Sequence, residues 1–405
     1  MAYQNPAGSH TLKTLISQYL LQLFLIRRGY SAGRRLVASS KNLALTQEGV
    51  LRQILFRNRN TKYGRDHKFH EIISREDFIQ KVPLTVYSDY VTYLREIVDC
   101  EGSRDVLTAD PVVFLAISSG TTGKNKTIPL TSFTRETAVR EVGPLVCFRQ
   151  ASIAGINLQR VLVLGYRAET TRSPSGLPLG PVSAHIGRVP PYSVTPREVY
   201  GVTDEQVALH MHAIYGLAER EVGHMEALFS TLVYSFWRYI ENNWELICDE
   251  IETGSLSSQI GGERTPEALS AIFRSHFRQQ PHRARQLRDE FRRGFGGIAR
   301  RVWPELRLVR MITSGSFAHH ARLLGRTHMR GVRQLSPLHA ASEGFFGVDM
   351  TSSSSSCSVK GVTDEQRYTL LPDYGFFEFI EEKRLEEQRP ETVFADQVSV
   401  IAYLI

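Results

Sequence analysis

Apolar positions recur at helical spacing in some stretches of the chain and gather into short unbroken runs in others, a combination that predicts a mixed α/β protein. "NLALTQEGVLRQILFRNRN" over 42–60 carries a helical stripe, and "SREDFIQKVP" offers Ser74 as the N-cap of a helix stopping near Pro83. The run "VVFLAI" predicts a buried strand over 112–117, after which "TSFTRETAVREVGPLVCFRQ" returns to helical periodicity. "RVLVLGY" over 160–166 and "RLVRMIT" over 307–313 predict two more strands. A long Gly/Pro/Ser loop, "RSPSGLPLGPVS", follows the first, and "SGSF" with a helix follows the second. Two long helical runs, 204–220 and 222–251, lie between them. The second carries Phe229, Tyr234, Trp237 and Trp244, read as core rather than a cofactor box. Near the end, "TSSSSSCS" over 351–358 reads as a flexible loop by composition, and "RYTLLPDYGFFEFI" over 367–380 as a hairpin around Asp373, Tyr374 and Gly375.

Composition narrows the picture little. A chain of 405 residues buries a full core and predicts two or three packed units. Much of the formal charge of +7 comes from 273–301, where Arg274, Arg278, Arg283, Arg285, Arg288, Arg292, Arg293, Arg300 and Arg301 face only Asp289 and Glu290. No aromatic interleaving or nucleic-acid motif accompanies these arginines, so the segment reads as a solvated helical surface and no nucleic-acid partner is expected. Cys100, Cys147, Cys248 and Cys357 are scattered without a CxxC pair, which fits a reducing compartment. His210 and His212 lie two apart in a helical run, and His319 and His320 are adjacent; neither pair makes a zinc site.

The stretch "TLISQYLLQLFLIRR" over 14–28 is apolar, but it is short for a membrane span and interrupted by Gln18 and Gln22. No small-residue cleavage site follows it. A packed first helix is expected, with a membrane-surface anchor as the alternative. The location expected is cytoplasmic, the alternative endomembrane-associated.

The chemistry gathers in "AISSGTTGKNKTIPLT" over 116–131, where Ser118, Ser119, Thr121 and Thr122 surround Gly120 and Gly123, with Lys124 and Lys126 behind. Such a cluster at a strand end is an anion cradle, and its dense hydroxyls suit a polyphosphate. A Walker loop is excluded, because only Thr121 and Thr122 separate Gly120 from Gly123. The order Ser-Ser-Gly-Thr-Thr-Gly-x-x-Lys resembles the phosphate loop of adenylate-forming enzymes, which activate a carboxylic acid with ATP. Those enzymes carry an aromatic-x-x-Ser/Thr-Glu motif downstream, and "HAASEGFFGVD" is similar to it through His339, Ala340, Ala341, Ser342 and Glu343. "TSGSF", with Gly315 and Ser316, resembles the loop lying against the adenine ring.

"NTKYGRDHKF", "VPLTVYSDY", "VLTADPVVFLAISSGTTGKNKTIPLT", "ASEGFFGVD" and "LLPDYGFFEFI", in that order from about Asn42 onward, resemble the auxin-responsive Gretchen Hagen family of acyl acid amido synthetases. The resemblance implies the large N-terminal α/β domain of an adenylate-forming enzyme, with layered subdomains, helices on both sheet faces and part of a β-barrel entered near Arg367. It divides the chain into an N-terminal helical segment, 1–41, α/β subdomains, 42–366, and the start of the barrel, 367–405. ATP and a carboxylic acid would give an acyl-adenylate, and an amine or amino acid would then displace AMP. Lys126 and Glu343 would be catalytic, Glu343 would hold Mg2+, and the hydroxyl loop would take the β- and γ-phosphates. "SGLPLGP" over 175–181 matches a segment near the substrate cleft.

Two departures stand out. His339 occupies the place where the family has Tyr, and the sequence stops at "VSVIAYLI", before the family's Tyr-Arg-x-Gly-Asp motif and lysine-bearing lid domain. A non-catalytic nucleotide-binding relic acting through partners therefore stays open beside the ligase, as does a coenzyme A ligase, against which "FFEFI" argues by resemblance.

Overall fold

The structure, a computed structural model, describes residues 11–119, 125–186, 189–260, 263–350, 366–387 and 390–398. Helix α1 (Leu12–Lys41) starts at Thr11, whose hydroxyl accepts from the Thr14 amide. α2 (Leu43–Asn58), α3 (Lys62–Asp66), α4 (Arg75–Lys81) and α5 (Tyr87–Asp99) follow. Ser74 caps α4 through a 3.0 Å bond from the Asp77 amide, as the sequence predicts. Strands β1 (Val112–Ser119) and β2 (Asn125–Thr131) lead into α6 (Ser132–Thr137), a π turn at Ala138–Val142 and α7 (Gly143–Ala154). Next come β3 (Arg160–Val163), β4 (Thr171–Arg172), β5 (Pro178–Gly180), α8 (Val182–Ile186), α9 (Glu205–Ala218), β6 (Val222–Phe229) and α10 (Ser230–Thr253). A small ribbon, β7 (Gln259–Ile260) with β8 (Glu263–Arg264), precedes α11 (Glu267–His276), α12 (Pro281–Arg292) and α13 (Ile298–Val302). β9 (Leu308–Ile312), α14 (Ala318–Arg326), β10 (Arg333–Leu335), β11 (Leu338–Ala341) and β12 (Gly344–Val348) come before the last strands, β13 (Thr369–Leu370), β14 (Glu378–Ile380) and β15 (Thr392–Phe394).

One sheet is parallel throughout, in the order β10-β9-β6-β3. Strand alternation sorts its side chains. Leu162, Met225 and Val309 enter the main core beside the fully buried Trp237 and Trp303, while His224, Glu226, Arg310 and Arg333 take the opposite face toward α7. Each large side chain fully buried in that core contributes about 1.5–3 kcal/mol of transfer free energy. Helices therefore cover both faces, α9 and α10 on one and α7 on the other, with α1 laid over α7. A second sheet runs β2-β1-β5-β4, with β1 antiparallel to β2 and parallel to β5. Here Leu115 packs with Ile97 and Val106 on one side, while Phe114 and Ala116 pack with Leu130 on the other.

Three expectations are corrected. The run 222–251 is not one helix, because Val222–Phe229 forms β6 between β3 and β9. Its residues favour a helix locally, but ladder pairing on both edges overrides that, and Gly223 leaves room for Asn157, whose amide would lie 2.2 Å from an added Cβ. The Gly/Pro/Ser loop contributes β5 to the second sheet. The segment 367–380 is no hairpin, since β13 pairs with β12 and β14 with β15. The buried Gln47 of α2 explains the split: it donates to the carbonyls of Pro372 and Gly375 at 2.8 and 2.9 Å and accepts from the Phe377 amide at 2.7 Å. Among the described residues these strands close no barrel. The serine run 351–358 lies outside the described residues.

The arginine-rich segment is laced to its surroundings. Arg274 pairs with Glu267, Arg288 with Asp249 and Glu252, and Arg293 and Arg301 with Glu290. Arg283 departs from a solvated surface, since it is buried and donates to the carbonyls of Leu217 and Val302. His210 and His212 point apart, the first to Tyr239 and Glu250 and the second to Thr195 and Gly165. Among the described residues no helix is long and apolar enough to cross a membrane.

Candidate functional site

Ser118 and Ser119 end β1 directly opposite Lys126 and Asn125 of β2. Lys126, expected just behind the hydroxyl cluster, lies on β2, because Ile128 and Leu130 fold back onto the apolar patch of Phe114 and Ala116. Pro129 is tolerated there since β2 is the sheet edge. Cross-strand pairing sets the Lys126 side chain beside that of Ser118. Its ammonium lies 5.7 Å from the centre of the Tyr87 ring, and the Tyr87 phenol accepts from the Thr127 amide at 2.8 Å. Tyr87, the first residue of α5, thus pins the strand that carries the lysine. Gly120, Thr121, Thr122, Gly123 and Lys124 lie outside the described residues.

The second cluster is built where β9 leaves the parallel sheet. Gly315 adopts φ +60 with open space where a Cβ would sit, and it starts the short turn Gly315–Phe317 that contains Ser316. The Phe317 carbonyl accepts from the Ser230 hydroxyl at 2.7 Å, and its ring stacks on Phe229 at 4.3 Å. Just before the turn, the Thr313 amide donates to the Ser336 hydroxyl at 3.2 Å, and that hydroxyl bonds the Tyr368 phenol at 2.8 Å. The Tyr368 ring lies 5.6 Å from that of His339 on β11, whose other aromatic neighbour is Phe346 at 5.8 Å. The loop holding Gly315 and Ser316 and the strand holding His339 are therefore joined by one chain of contacts. Burial lowers the His339 pKa, which favours the neutral ring.

β11 and β12 pair through Ala340 with Phe345 and Ala341 with Gly344, leaving Ser342 and Glu343 as the turn between them. Glu343 is exposed, as are Ala340 and Ala341. Among the described residues no group of three or more histidine, cysteine or acidic side chains could cage a metal. A cation at Glu343 would take one protein carboxylate and complete its shell with phosphate and water oxygens, a donor set that suits magnesium.

Beneath the Gly315 turn, Arg310 of β9 donates to Glu226 of β6, and His224 lies 3.0 Å from the same carboxylate. Arg310 also reaches Gln150 of α7 at 3.2 Å. Burial pushes the Glu226 carboxyl up, but the Arg310 charge and the bonds from His224 and Arg310 prevail and hold it at about 2. Burial likewise raises the Cys147 thiol beside this pair.

Sequence reasoning passed over Tyr87, Ser336, Tyr368 and the Glu226–Arg310 pair. Tyr87 falls within a stretch quoted for the family resemblance, and Tyr368 within the stretch expected to form a hairpin. Their hydroxyl roles depend on partners 40 and 32 residues away, which no local pattern reports.

The model of the GH3 family N-terminal domain matches residues 32–330 of this chain. Indole-3-acetic acid-amido synthetase GH3.17 of Arabidopsis thaliana is 28% identical over 377 residues, a match covering 88% of this chain and 59% of that protein. Indole-3-acetic acid-amido synthetase GH3.8 of Oryza sativa subsp. indica is 27% identical over 352 residues, covering 84% and 56%. Among solved structures, the GH3.15 acyl acid amido synthetase superposes with a TM-score of 0.71 at 25% identity, over 84% of this chain and 58% of that one. The complex of AtGH3.15 acyl acid amido synthetase with 2,4-DB gives 0.74 at 24% identity, over 88% and 61%, and speaks to the fold alone. The chain spans about three fifths of the length of these relatives. With the family model matching well over half of its residues, the chain belongs to the GH3 family.

Proposed function

We propose that the chain works as an ATP-dependent acyl acid amido synthetase. The observation that carries this reading is the run of contacts from Thr313 through Ser336 and Tyr368 to His339, which sets the Gly315–Ser316 loop beside the strand leading to Glu343. In the first step a carboxylate oxygen attacks the α-phosphorus of ATP, the bond to the β-phosphate oxygen breaks, and pyrophosphate leaves. In the second, an amine nitrogen attacks the acyl carbon, the bond to the AMP oxygen breaks, and the nitrogen gives up a proton. Both anions of the first step must be brought together, so positioning and charge stabilisation dominate.

Ser118, Ser119, Thr121, Thr122 and the amides of Gly120 and Gly123 would hold the β- and γ-phosphates, with Lys126 as a point charge steadied by Tyr87. His339, Ala340, Ala341 and Ser342, with Gly315 and Ser316, would line the adenine. Magnesium at Glu343 would supply further neutralisation of the phosphates. A cytoplasmic setting is consistent with Cys100, Cys147 and Cys248 standing as free thiols. A second reading, nucleotide binding without turnover, draws on His339, whose ring is smaller than the tyrosine of the resemblance.

Exchange of labelled pyrophosphate into ATP, run over a panel of carboxylic acids, tests the proposal. Exchange with at least one acid, lost by a factor of about 100 or more in Lys126→Ala and Glu343→Ala, is the expected result. No exchange with any acid, but a rise in melting temperature with ATP, gives the chain to the second reading. Neither response overturns both.

A further inference from the structure

Helix α1 has two unlike faces. Gln18, Gly29, Ala32, Gly33 and Leu36 are buried, and the helix packs on α7. On the far side Leu12, Ile16, Leu20, Leu23 and Phe24 form a stripe at three- and four-residue spacing, with Leu20 and Phe24 each 58% exposed. Val37 continues it past mid-helix, also exposed, while the half-exposed Tyr30 edges onto Phe148 of α7 at 5.9 Å. Monomeric soluble proteins seldom leave so continuous an apolar surface without a use for it.

Charge decides what that use is. The 30 residues of α1 include six cations, Lys13, Arg27, Arg28, Arg34, Arg35 and Lys41, and no acid. Arg28 and Arg35 lean inward to Glu141 on the π turn, whereas Lys13, Arg27, Arg34 and Lys41 form no ion pair among the described residues. Arg27, Arg28, Ser31 and Arg35 line an open pocket beside Phe24. A second copy of this helix would bring like charges together across the contact. A surface offering both phosphates and hydrocarbon satisfies the two halves of the face at once. α1 is not apolar enough to cross a bilayer, so it would lie along one.

We propose that the outward face of α1 docks the protein onto an anionic lipid surface. Leu20 and Phe24 enter the acyl-chain boundary, while Arg27 and Arg34 reach the headgroup phosphates from the same helical face.

Flotation of the full chain with phosphatidylcholine vesicles, with and without phosphatidylserine, tests this. Binding is expected only with phosphatidylserine and is released by high salt. Arg27→Ala with Arg34→Ala weakens it roughly 30-fold, about fivefold per cation. Leu20→Ser with Phe24→Ser abolishes it. All four positions lie on the outer side of α1, away from the α7 contact, so circular dichroism and the melting temperature serve as folding controls. Absence of serine-lipid-dependent binding in a folded wild-type chain overturns the proposal, as does binding that both double variants retain. A dimer in sedimentation velocity that Leu20→Ser with Phe24→Ser splits would give the face to a second copy and overturn it too.

Discussion

The carboxylate of Glu226 sits between Arg310 and His224 on the α7 side of the parallel sheet, tying β6 to β9 two residues below the strand end that launches the Gly315 turn. Its folded pKa of about 2 lies below the ordinary 4.5. The sign follows: the stability it contributes is fully present above about pH 4.5 and is lost as pH falls from there toward 2. Glu226→Gln leaves Arg310 with an uncompensated charge and should cost roughly 3 kcal/mol at neutral pH. Urea unfolding at neutral pH and within that acid window measures both effects. The variant should be weaker at neutral pH and should lose less of its remaining stability on acidification than the wild type does. Equal acid slopes in the two proteins would show that the pair does not set the acid limb.

At the scale of elements, the meeting of α1 and α7 turns on two glycines that the sequence does not distinguish. A Cβ at Gly29 would lie 2.0 Å from the Pro144 carbonyl oxygen and 2.6 Å from the Phe148 Cβ, so the helices could not keep their approach. At Gly33 the nearest atoms stand 3.7 to 4.0 Å away, in ordinary contact. Gly29→Ala should therefore destabilise by about 2 kcal/mol or more, and Gly33→Ala should stabilise by up to about 1 kcal/mol through helix propensity. Thermal melts followed at 222 nm decide it, and equal effects at the two sites would mean α1 does not pack as described. The same contrast between local and distant information runs through the fold. β1, β3, β9, α2 and α4 were legible because each carries its own apolar period or cap. β6 was not, since Met225, Glu226, Ala227 and Leu228 favour a helix until strands flank them on both sides. The turn at 371–377 was misread because its backbone partners come from Gln47 of α2.

For the whole molecule, the candidate site was readable as two sequence motifs and unreadable as a structure. The order of hydroxyls, glycines and Lys126 is local, and so is the run from His339 to Glu343. The chain of Thr313, Ser336, Tyr368 and His339 spans separate elements and exists only after folding. The core is divided in a similarly uneven way. All three tryptophans belong to the largest cluster, Trp237 and Trp303 at 5.4 Å between rings and Trp244 packed on its edge against Phe291. The first five helices carry none. The 16 residues of α2 share with their neighbours a cluster in which Leu51, Leu55, Phe69 and Ile72 are the buried members. That layer therefore gains much less from burial than the main core, whose cluster takes in side chains from α9, α10, α11, α12 and α13. The N-terminal layer should thus open before the main core. In a urea titration, ellipticity at 222 nm should lose part of its amplitude before tryptophan emission begins to shift to the red. Superimposable transitions from the two probes would mean that the small clusters and the large one unfold as a single cooperative unit, contrary to this division.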